Sequence, residues 1–186
     1  MKHIIPILII ILLIVIFLLT GCAGIEKKTD CKIDFFGIRA EHFQDRNWWE
    51  VGLGWVGSFI VHEGSHILHA ELNGGGHIDF SQIPIVCIME DLSHSHSTKQ
   101  WFHRAGFIGQ LVVGGILTAI PATRHSDITL GFNSFTTANT GIYVITGGVN
   151  NSCSDIAHLD HGTAEGIAYT GVAGVLTYIN LKKPLE

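Results

Sequence analysis

Charged residues are scarce in this chain of 186 residues, and the scarcity narrows its class. Lysine, arginine, aspartate and glutamate make up 15% of the sequence, against about a quarter in typical soluble domains, whereas hydrophobic residues make up 47%. The composition therefore indicates a membrane protein or a heavily buried one. The formal net charge is −5 and no run of basic residues occurs, so nucleic acid is not an expected partner.

Several common site patterns are also missing. The four cysteines, at positions 22, 31, 87 and 153, show neither zinc-ribbon spacing nor a C-x-x-C pair, although a disulfide among the last three stays open. No Gly-x-Ser-x-Gly occurs, which argues against a serine hydrolase. No internal repeat is visible. Histidine, in contrast, occurs twelve times, which is frequent for this length.

The sequence contains one H-E-x-x-H motif, His62-Glu63-Gly64-Ser65-His66. Residues four apart lie on one face of a helix, so the two imidazoles can bind the same metal ion. Zinc suits such a site because it takes nitrogen ligands in tetrahedral geometry and keeps one position open for water. The metal lowers the pKa of that water, and Glu63, one step round the helix, is placed to take its proton.

The flanks of this motif predict a buried helix. An apolar segment, 55–61, precedes the motif, and further apolar residues follow it. Two histidines and a glutamate buried without a partner would be costly, which favours a metal site over histidines that are merely hydrogen-bonded. Gly57 and Gly64 would let another helix or a substrate approach closely. A metzincin is disfavoured, since its third histidine would fall at Leu72.

The N-terminal residues form a separate unit. A short positive segment is followed by the apolar residues 4–19 and then by Leu19-Thr20-Gly21-Cys22. This ending resembles the lipobox of bacterial lipoproteins, which implies cleavage before Cys22 and lipidation of that cysteine. The alternative is an uncleaved membrane helix with an ordinary cysteine. We therefore expect a signal peptide or membrane anchor at 1–21 and a polar tether at 22–47.

The remaining residues, 48–186, predict one all-α domain. Three hydrophobic stretches near membrane-spanning length predict long helices at 48–72, 101–120 and 163–181. The paired Trp48-Trp49 suits a membrane interface. The predicted fold is a membrane-embedded helical bundle of about three long helices plus short elements.

Shorter segments connect these helices. Polar loops are expected at 77–100, with a short strand at 83–88, and at 122–135. Residues 136–149 are apolar but too short to span, and suit a short helix, a hairpin or a re-entrant piece. The second long helix contains four glycines that would allow tight packing on neighbouring helices, namely Gly106, Gly109, Gly114 and Gly115.

These features together resemble the site-2-protease-like intramembrane metalloproteases. That family is similar in its H-E-x-x-H on a first core helix, here at 62–66, and in a second apolar helix, here at 101–120. A later segment, here within 154–162, supplies an aspartate as the third zinc ligand. The family's aspartate segment reads like Asn-Pro-Asp-Gly or Leu-Asp-Pro-Gly, whereas Leu159-Asp160-His161-Gly162 has histidine in place of proline. The resemblance would cover about residues 48–181.

The sequence leaves the third ligand open. A carboxylate is the usual choice after H-E-x-x-H, and the candidates are Asp155, Asp160 and Glu165, with a neighbouring histidine as a further possibility. Asp160 has the better local match to the family. Asp155 precedes an apolar-periodic stretch and is placed first, because it would face the core. Alternatively, either aspartate simply caps the N-terminus of the last helix.

The resemblance implies zinc-dependent hydrolysis of a peptide bond in or near the membrane, with Glu63 activating the water. The expected partners are a peptide or membrane-protein substrate and membrane lipid, and the expected location is a bacterial-type cell membrane. Two other functions fit parts of the sequence. Histidines at 62–69, 94–96 and 158–161 resemble the boxes of a membrane di-iron oxidase or hydroxylase, although the double-histidine element is missing. A non-enzymatic, lipid-anchored envelope protein would also fit the glycine-rich helices.

Overall fold

The structure is a computed structural model that describes the following parts of the chain: residues 41–44, 46–73, 76–79, 87–90, 95–146 and 155–182. The signal peptide or anchor predicted at 1–21, the lipidation predicted at Cys22 and most of the predicted tether lie outside the described residues.

Helices account for most of the described residues. They are α1 (Glu41–Gln44), α2 (Trp48–Leu72), α3 (His96–Ala119), α4 (Asp127–Thr146), a 3-10 helix (Asp155–His158) and α5 (Gly162–Leu181). Two short strands, β1 (Gly76–Asp79) and β2 (Cys87–Glu90), pair antiparallel between α2 and α3, with Gly76 opposite Glu90. The prediction of an all-α domain is therefore confirmed for the long elements.

Side-chain caps set where α2 and α3 begin. The Asn47 side chain accepts a hydrogen bond from the Trp49 N–H at 3.2 Å, so α2 starts where it was predicted. The Ser95 side chain likewise accepts a hydrogen bond from the Thr98 N–H at 3.2 Å. Because of this second cap, α3 begins within the stretch 77–100 that was predicted to be a loop.

The loop predicted at 122–135 was wrong for most of its length, and the helix that was one alternative for 136–149 begins earlier than expected, because one helix of 20 residues, α4, covers most of both segments. Ser126 precedes this helix and accepts a hydrogen bond from the Thr129 N–H at 3.2 Å. Four polar residues of α4 are at most 1% exposed, and they lie beside the buried Leu130 and Phe132: Thr129, Asn133, Thr136 and Thr140. A helix that buries polar residues lacks the apolar periodicity on which the prediction relied. The bundle therefore has four long helices among the described residues instead of three.

Contacts between the helices give an up-down-up-down arrangement. Along α2, His62 contacts Gln110 and the later His69 contacts Thr98, so α2 and α3 are antiparallel. Other pairs show that α4 runs parallel to α2 and antiparallel to α5: Gly54 with Gly131, Ser58 with Thr136, Asn133 with Asn180 and Thr137 with Thr177. The fold thereby places the middle of α2 between α3 and α4.

Polar side chains occupy much of the interior of this bundle. The fully buried residues include Ser58, Gln110, Thr129, Asn133, Thr136, Thr140 and Asn180, beside Phe102 and Phe107. The outer surface is rich in large apolar side chains, which on α2 are Trp48, Trp49, Leu53, Trp55, Val56, Phe59, Ile60, Ile67, Leu68 and Leu72. The helices therefore meet through hydrogen bonds as well as through apolar packing.

Near-spanning length was predicted for three of the helices. Among the residues that the structure describes, no helix is both long and apolar enough to cross a membrane.

Glycines set how closely the helices approach. A Cβ atom at Gly54 would collide with the carbonyl oxygen of Ile128, and one at Gly131 would collide with that of Val51, so α2 and α4 cross backbone to backbone. The tight packing predicted for glycines of α3 is confirmed at positions 106, 109 and 114. It is wrong at position 115, where a Cβ would meet nothing within 4 Å.

No helix of the described residues comes close to the two glycines of α2 at which a close approach was predicted, and the approach of a substrate there stays a prediction. A Cβ at Gly64 would meet nothing within 4 Å, and one at Gly57 would meet only the Phe132 ring at 3.9 Å. Both positions therefore tolerate a side chain within the described part of the bundle.

Arg46 connects the segment before α2 to the ends of two other helices. Its guanidinium donates to Asp127 Oδ1 at 2.8 Å and to the Leu181 carbonyl at 3.0 Å. The Asn47 N–H donates to the other Asp127 oxygen at 2.8 Å. The last residues of the predicted tether are thus part of the packed domain.

Candidate metal centre

His62 and His66 lie one turn apart on α2 and both face α3. Each is almost fully buried, and their Nε2 atoms are 3.3 Å apart. Gly106 of α3 packs directly against the two rings, because a Cβ there would lie 2.5 Å from His62 Cε1 and 2.5 Å from His66 Nε2. The H-E-x-x-H motif therefore presents its two histidines on one buried face, as its spacing predicted.

Asp155 completes a three-residue cluster with these histidines. It is the first residue of the 3-10 helix, and its Oδ2 lies 3.1 Å from His62 Nε2 and 3.2 Å from His66 Nε2. Among the described residues, these three side chains are the ones whose possible metal-binding atoms lie close enough together to bind a single ion.

The spacing of the three ligand atoms fits a tetrahedral ion. Zinc binds nitrogen and oxygen at about 2.0–2.2 Å, which places neighbouring ligands of a tetrahedron about 3.3–3.5 Å apart. The three separations observed here are 3.1, 3.2 and 3.3 Å. Two imidazole nitrogens and a carboxylate oxygen are donors that zinc accepts, and they also suit other transition-metal ions.

The far nitrogen of each imidazole is held by an acceptor. His66 Nδ1 donates to the Phe102 carbonyl at 2.8 Å. His62 Nδ1 donates to Gln110 Oε1 at 3.1 Å, because the amide nitrogen of Gln110 is engaged with Ser58. With one proton held on Nδ1, each Nε2 faces the cluster: in a neutral ring its lone pair is available to a metal, and in a protonated ring its N–H donates to Asp155.

The Gln110 contact continues into a chain of buried hydrogen bonds. Gln110 Nε2 donates to Ser58 Oγ at 2.9 Å and to the Ser58 carbonyl at 3.2 Å. Ser58 Oγ lies 3.0 Å from the Thr136 hydroxyl of α4. The orientation of His62 is thereby linked to both α3 and α4.

Charge interactions hold the Asp155 carboxylate ionised. Burial alone would raise the pKa of Asp155, but the charge of His66 and hydrogen bonds from His103, His62 and His66 lower it well below its usual range. A carboxylate and two Nε2 lone pairs within 3.3 Å of one another repel unless a cation lies between them. The cluster must therefore hold either a proton or a metal ion.

Without a metal ion in the cluster, the stability of the protein is therefore expected to fall with rising pH. Burial lowers the pKa of His66, but the charge and hydrogen bond of Asp155 outweigh it and raise the pKa overall. A raised pKa gives stability that is complete below the unfolded value of about 6.5 and is lost as the pH rises through the folded value. We expect chelated protein to melt at a lower temperature at pH 8 than at pH 6, and added zinc to restore the melting temperature at pH 8.

Differential scanning fluorimetry with and without chelator measures this effect. The control is His66→Ala, in which the pH difference of the chelated protein should shrink. Equal melting temperatures of the chelated wild-type protein at both pH values would contradict the expectation.

Glu63 lies beside the cluster without belonging to it. The residue is half-buried, and burial raises its pKa despite the opposing charges of His62 and His66, while Asp155 raises it further. A raised pKa makes the carboxylate a stronger base, which favours proton transfer to and from it. The position and electrostatics of Glu63 thus suit the predicted general base.

Neither of the other predicted carboxylate ligands reaches the cluster. Asp160 lies at the surface and binds His96, with Oδ2 and Nε2 3.0 Å apart. Glu165 accepts two hydrogen bonds from Arg104, both at 2.7 Å. Of the three candidates, the structure brings only Asp155 to the two histidines.

The predicted capping role of the two aspartates is also wrong. The N-cap position of α5 is occupied by His161, which makes no side-chain capping hydrogen bond. Asp155 instead begins the 3-10 helix and turns its carboxylate inward, whereas Asp160 points to the surface.

Sequence reasoning missed the residues of α3 that surround the cluster. Gln100 Nε2 donates to the His158 carbonyl at 2.7 Å, and Gln100 Oε1 accepts from the Asp160 N–H at 3.1 Å. The His103 ring stacks on that of His158, with ring centroids 4.5 Å apart. A usable signal was present, because the small or polar residues Gln100, His103, Gly106 and Gln110 recur at helical spacing along α3.

Comparisons with known proteins found no relative of this chain. No family model matches the chain, and neither the search of curated proteins nor the search of solved structures found a match.

Proposed function

We propose that this protein is a zinc-dependent peptidase whose ion is held by His62, His66 and Asp155. The observation that carries the proposal is the convergence of two imidazole nitrogens and one carboxylate oxygen within 3.1–3.3 Å of one another in a buried cluster. Glu63 adds a carboxyl group with a raised pKa directly next to His62. Three ligands and an adjacent base are the combination that hydrolytic zinc enzymes use.

Each residue has its own task in the proposed reaction. A bound zinc ion would supply Lewis-acid chemistry, which polarises the scissile carbonyl and makes water more acidic. Glu63 takes a proton from the attacking water and returns it to the leaving amine. Gln110 and the Phe102 carbonyl keep the protons of His62 and His66 on Nδ1, so that each Nε2 stays free for the ion.

We also propose that the reaction takes place at a membrane, on a peptide or a membrane-protein segment. The support is the apolar outer surface of the bundle, where Trp49 is 75% and Leu72 is 76% exposed at opposite ends of α2. Large exposed apolar surfaces are typical of membrane or protein contact. Lipidation at Cys22, implied by the lipobox resemblance, would attach the chain to the cell membrane.

The two alternative functions receive less support. A di-iron enzyme needs ligands for two ions, whereas the described residues bring together one group of three, and His96 lies apart from it beside Asp160. Two histidines and one carboxylate also suit a single iron, so the identity of the metal is the first measurement to make. A non-enzymatic envelope protein would have no use for Glu63 as a base.

Glu63→Gln tests the proposed reaction. Glutamine keeps the shape of the side chain but cannot accept a proton, so we expect zinc content to stay unchanged and peptide turnover to fall by about 10²- to 10⁴-fold. Zinc per chain is measured by atomic absorption, and turnover is measured with fluorogenic peptides in detergent micelles.

Glu71→Gln is the matched control, since Glu71 is exposed on the same helix and should be neutral in both assays. Equal turnover by Glu63→Gln and wild type would remove Glu63 from the mechanism. Iron in place of zinc in the purified protein would overturn the hydrolytic proposal.

A further inference from the structure

His103 contacts the Asp155 oxygen that faces neither His62 nor His66. His103 Nδ1 lies 3.2 Å from Asp155 Oδ1, whereas Asp155 Oδ2 faces His62 and His66. The His103 side chain is 19% exposed and lies on α3, one turn before Gly106. The two oxygens of Asp155 thus have different partners.

The His103 ring is itself held in orientation. It stacks on the His158 ring at an interplanar angle of 16° and meets the Phe102 ring edge to face at 5.3 Å. Asp155 Oδ1 can only accept a hydrogen bond, so His103 Nδ1 carries the proton in this contact. The ring therefore presents a fixed N–H to the carboxylate.

The segment that carries Asp155 is short and is held by α3 from outside. The 3-10 helix has four residues, and Gln100 binds the backbone at its end through the His158 carbonyl and the Asp160 N–H. Those contacts fix where the 3-10 helix lies, but they do not fix the rotation of the Asp155 carboxylate. A hydrogen bond to Oδ1 does fix it.

We propose that His103 is a positioning residue that binds Asp155 Oδ1 and so presents Oδ2 alone to the metal ion. This inference rests on the proposed function, because it takes the ion between His62, His66 and Asp155 as given. Single-oxygen binding by the aspartate keeps the fourth position of a tetrahedral ion open for water, whereas two-oxygen binding would occupy it. Outer contacts of this kind typically change metal affinity by about 10- to 100-fold when they are removed.

The test compares zinc affinity in His103→Ala and His103→Asn, by competition with a chromophoric chelator. The asparagine side-chain nitrogen falls near the place of His Nδ1 and can donate the same hydrogen bond. We expect the dissociation constant of His103→Ala to rise by about 10- to 100-fold and that of His103→Asn to stay within about threefold of wild type.

A second readout replaces zinc by cobalt(II), whose visible absorption is strong in four-coordinate sites and weak in five-coordinate ones. We expect His103→Ala to lose intensity, because its aspartate is free to bind through both oxygens, and His103→Asn to keep it. Wild-type affinity and spectrum in His103→Ala would overturn the inference. Equal weakening in both variants would also overturn it, since the N–H would then not be the group that matters.

Asp155→Ala in the same series separates this inference from the proposed function. Loss of zinc in Asp155→Ala together with unchanged affinity in His103→Ala would overturn the role of His103 alone. Full zinc in Asp155→Ala would overturn Asp155 as the third ligand of the proposed metal centre. Thermal melting of each metal-free variant shows whether the chain is folded, and the asparagine variant keeps the test valid where alanine fails to fold.

Discussion

Asp155→Ala is expected to yield a protein that contains no zinc and has no measurable peptidase activity. Among the described residues, the substitution removes the only carboxylate oxygen within 3.2 Å of both ligand nitrogens. Two imidazoles alone are too few protein ligands for a catalytic zinc site, which commonly has three. Zinc content and turnover measured on the same preparation test the expectation.

Asp160→Ala provides the matched control five positions away. Asp160 is the predicted alternative ligand, and the structure places it at the surface beside His96. Its loss should leave zinc content unchanged and alter stability by less than about 1 kcal/mol, as is usual for exposed ion pairs. Full zinc in Asp155→Ala would contradict the assignment of the third ligand, whichever result the control gives.

Gly106→Ala is expected to have the second-largest effect, although glycine has no side chain to contribute. The new Cβ would lie 2.5 Å from His62 Cε1 and 2.5 Å from His66 Nε2, so either α3 or both rings must move. Overpacking of this kind costs about 1–3 kcal/mol of unfolding free energy. Because the rings are the ligands, zinc binding should be lost together with stability.

Gly115→Ala separates packing from helix propensity. It lies on the same helix, and a Cβ there would meet nothing within 4 Å. Alanine is favoured over glycine in a helix by about 1 kcal/mol, so this variant should melt at the same or a higher temperature and keep its zinc. If Gly106→Ala behaves like this control, the close approach of α3 to the histidines is wrong.

The parts of the fold that were predictable are those with strong local signals. A long apolar stretch beginning after Asn47 predicted α2 with its observed bounds, and the four-residue spacing placed His62 and His66 on one face. The cap at the start of this helix is also local, because the Asn47 side chain accepts a hydrogen bond from the Trp49 N–H two positions later.

The helix α4 was missed for a physical reason. Its inward residues, such as Asn133 and Thr136, are polar and pair with side chains of other helices. Sequence patterns detect an apolar face turned inward, and here the polar face is turned inward. The cap at Ser126 was the one local signal that marked the helix.

The third ligand could be ranked from the sequence but not decided. Asp155 and Asp160 lie close together in the chain, and only tertiary packing turns one to the histidines and the other to the surface. Two residues of α3 contact this segment. Gln100 binds the backbone after Asp155, and His103 binds the Asp155 carboxylate. These contacts join residues that are more than 50 positions apart in the chain, and local sequence patterns do not encode them.

Asp155 lies 93 positions after His62, and this separation bears on how the protein is made. At about 5–20 residues per second, a ribosome releases the histidines roughly 5–20 s before it releases the aspartate. During that interval the nascent chain has two of its three proposed ligands and cannot close the site around an ion. A metal ion held by all three residues would therefore bind only after synthesis has passed the 3-10 helix, and a product truncated before that helix has no complete site.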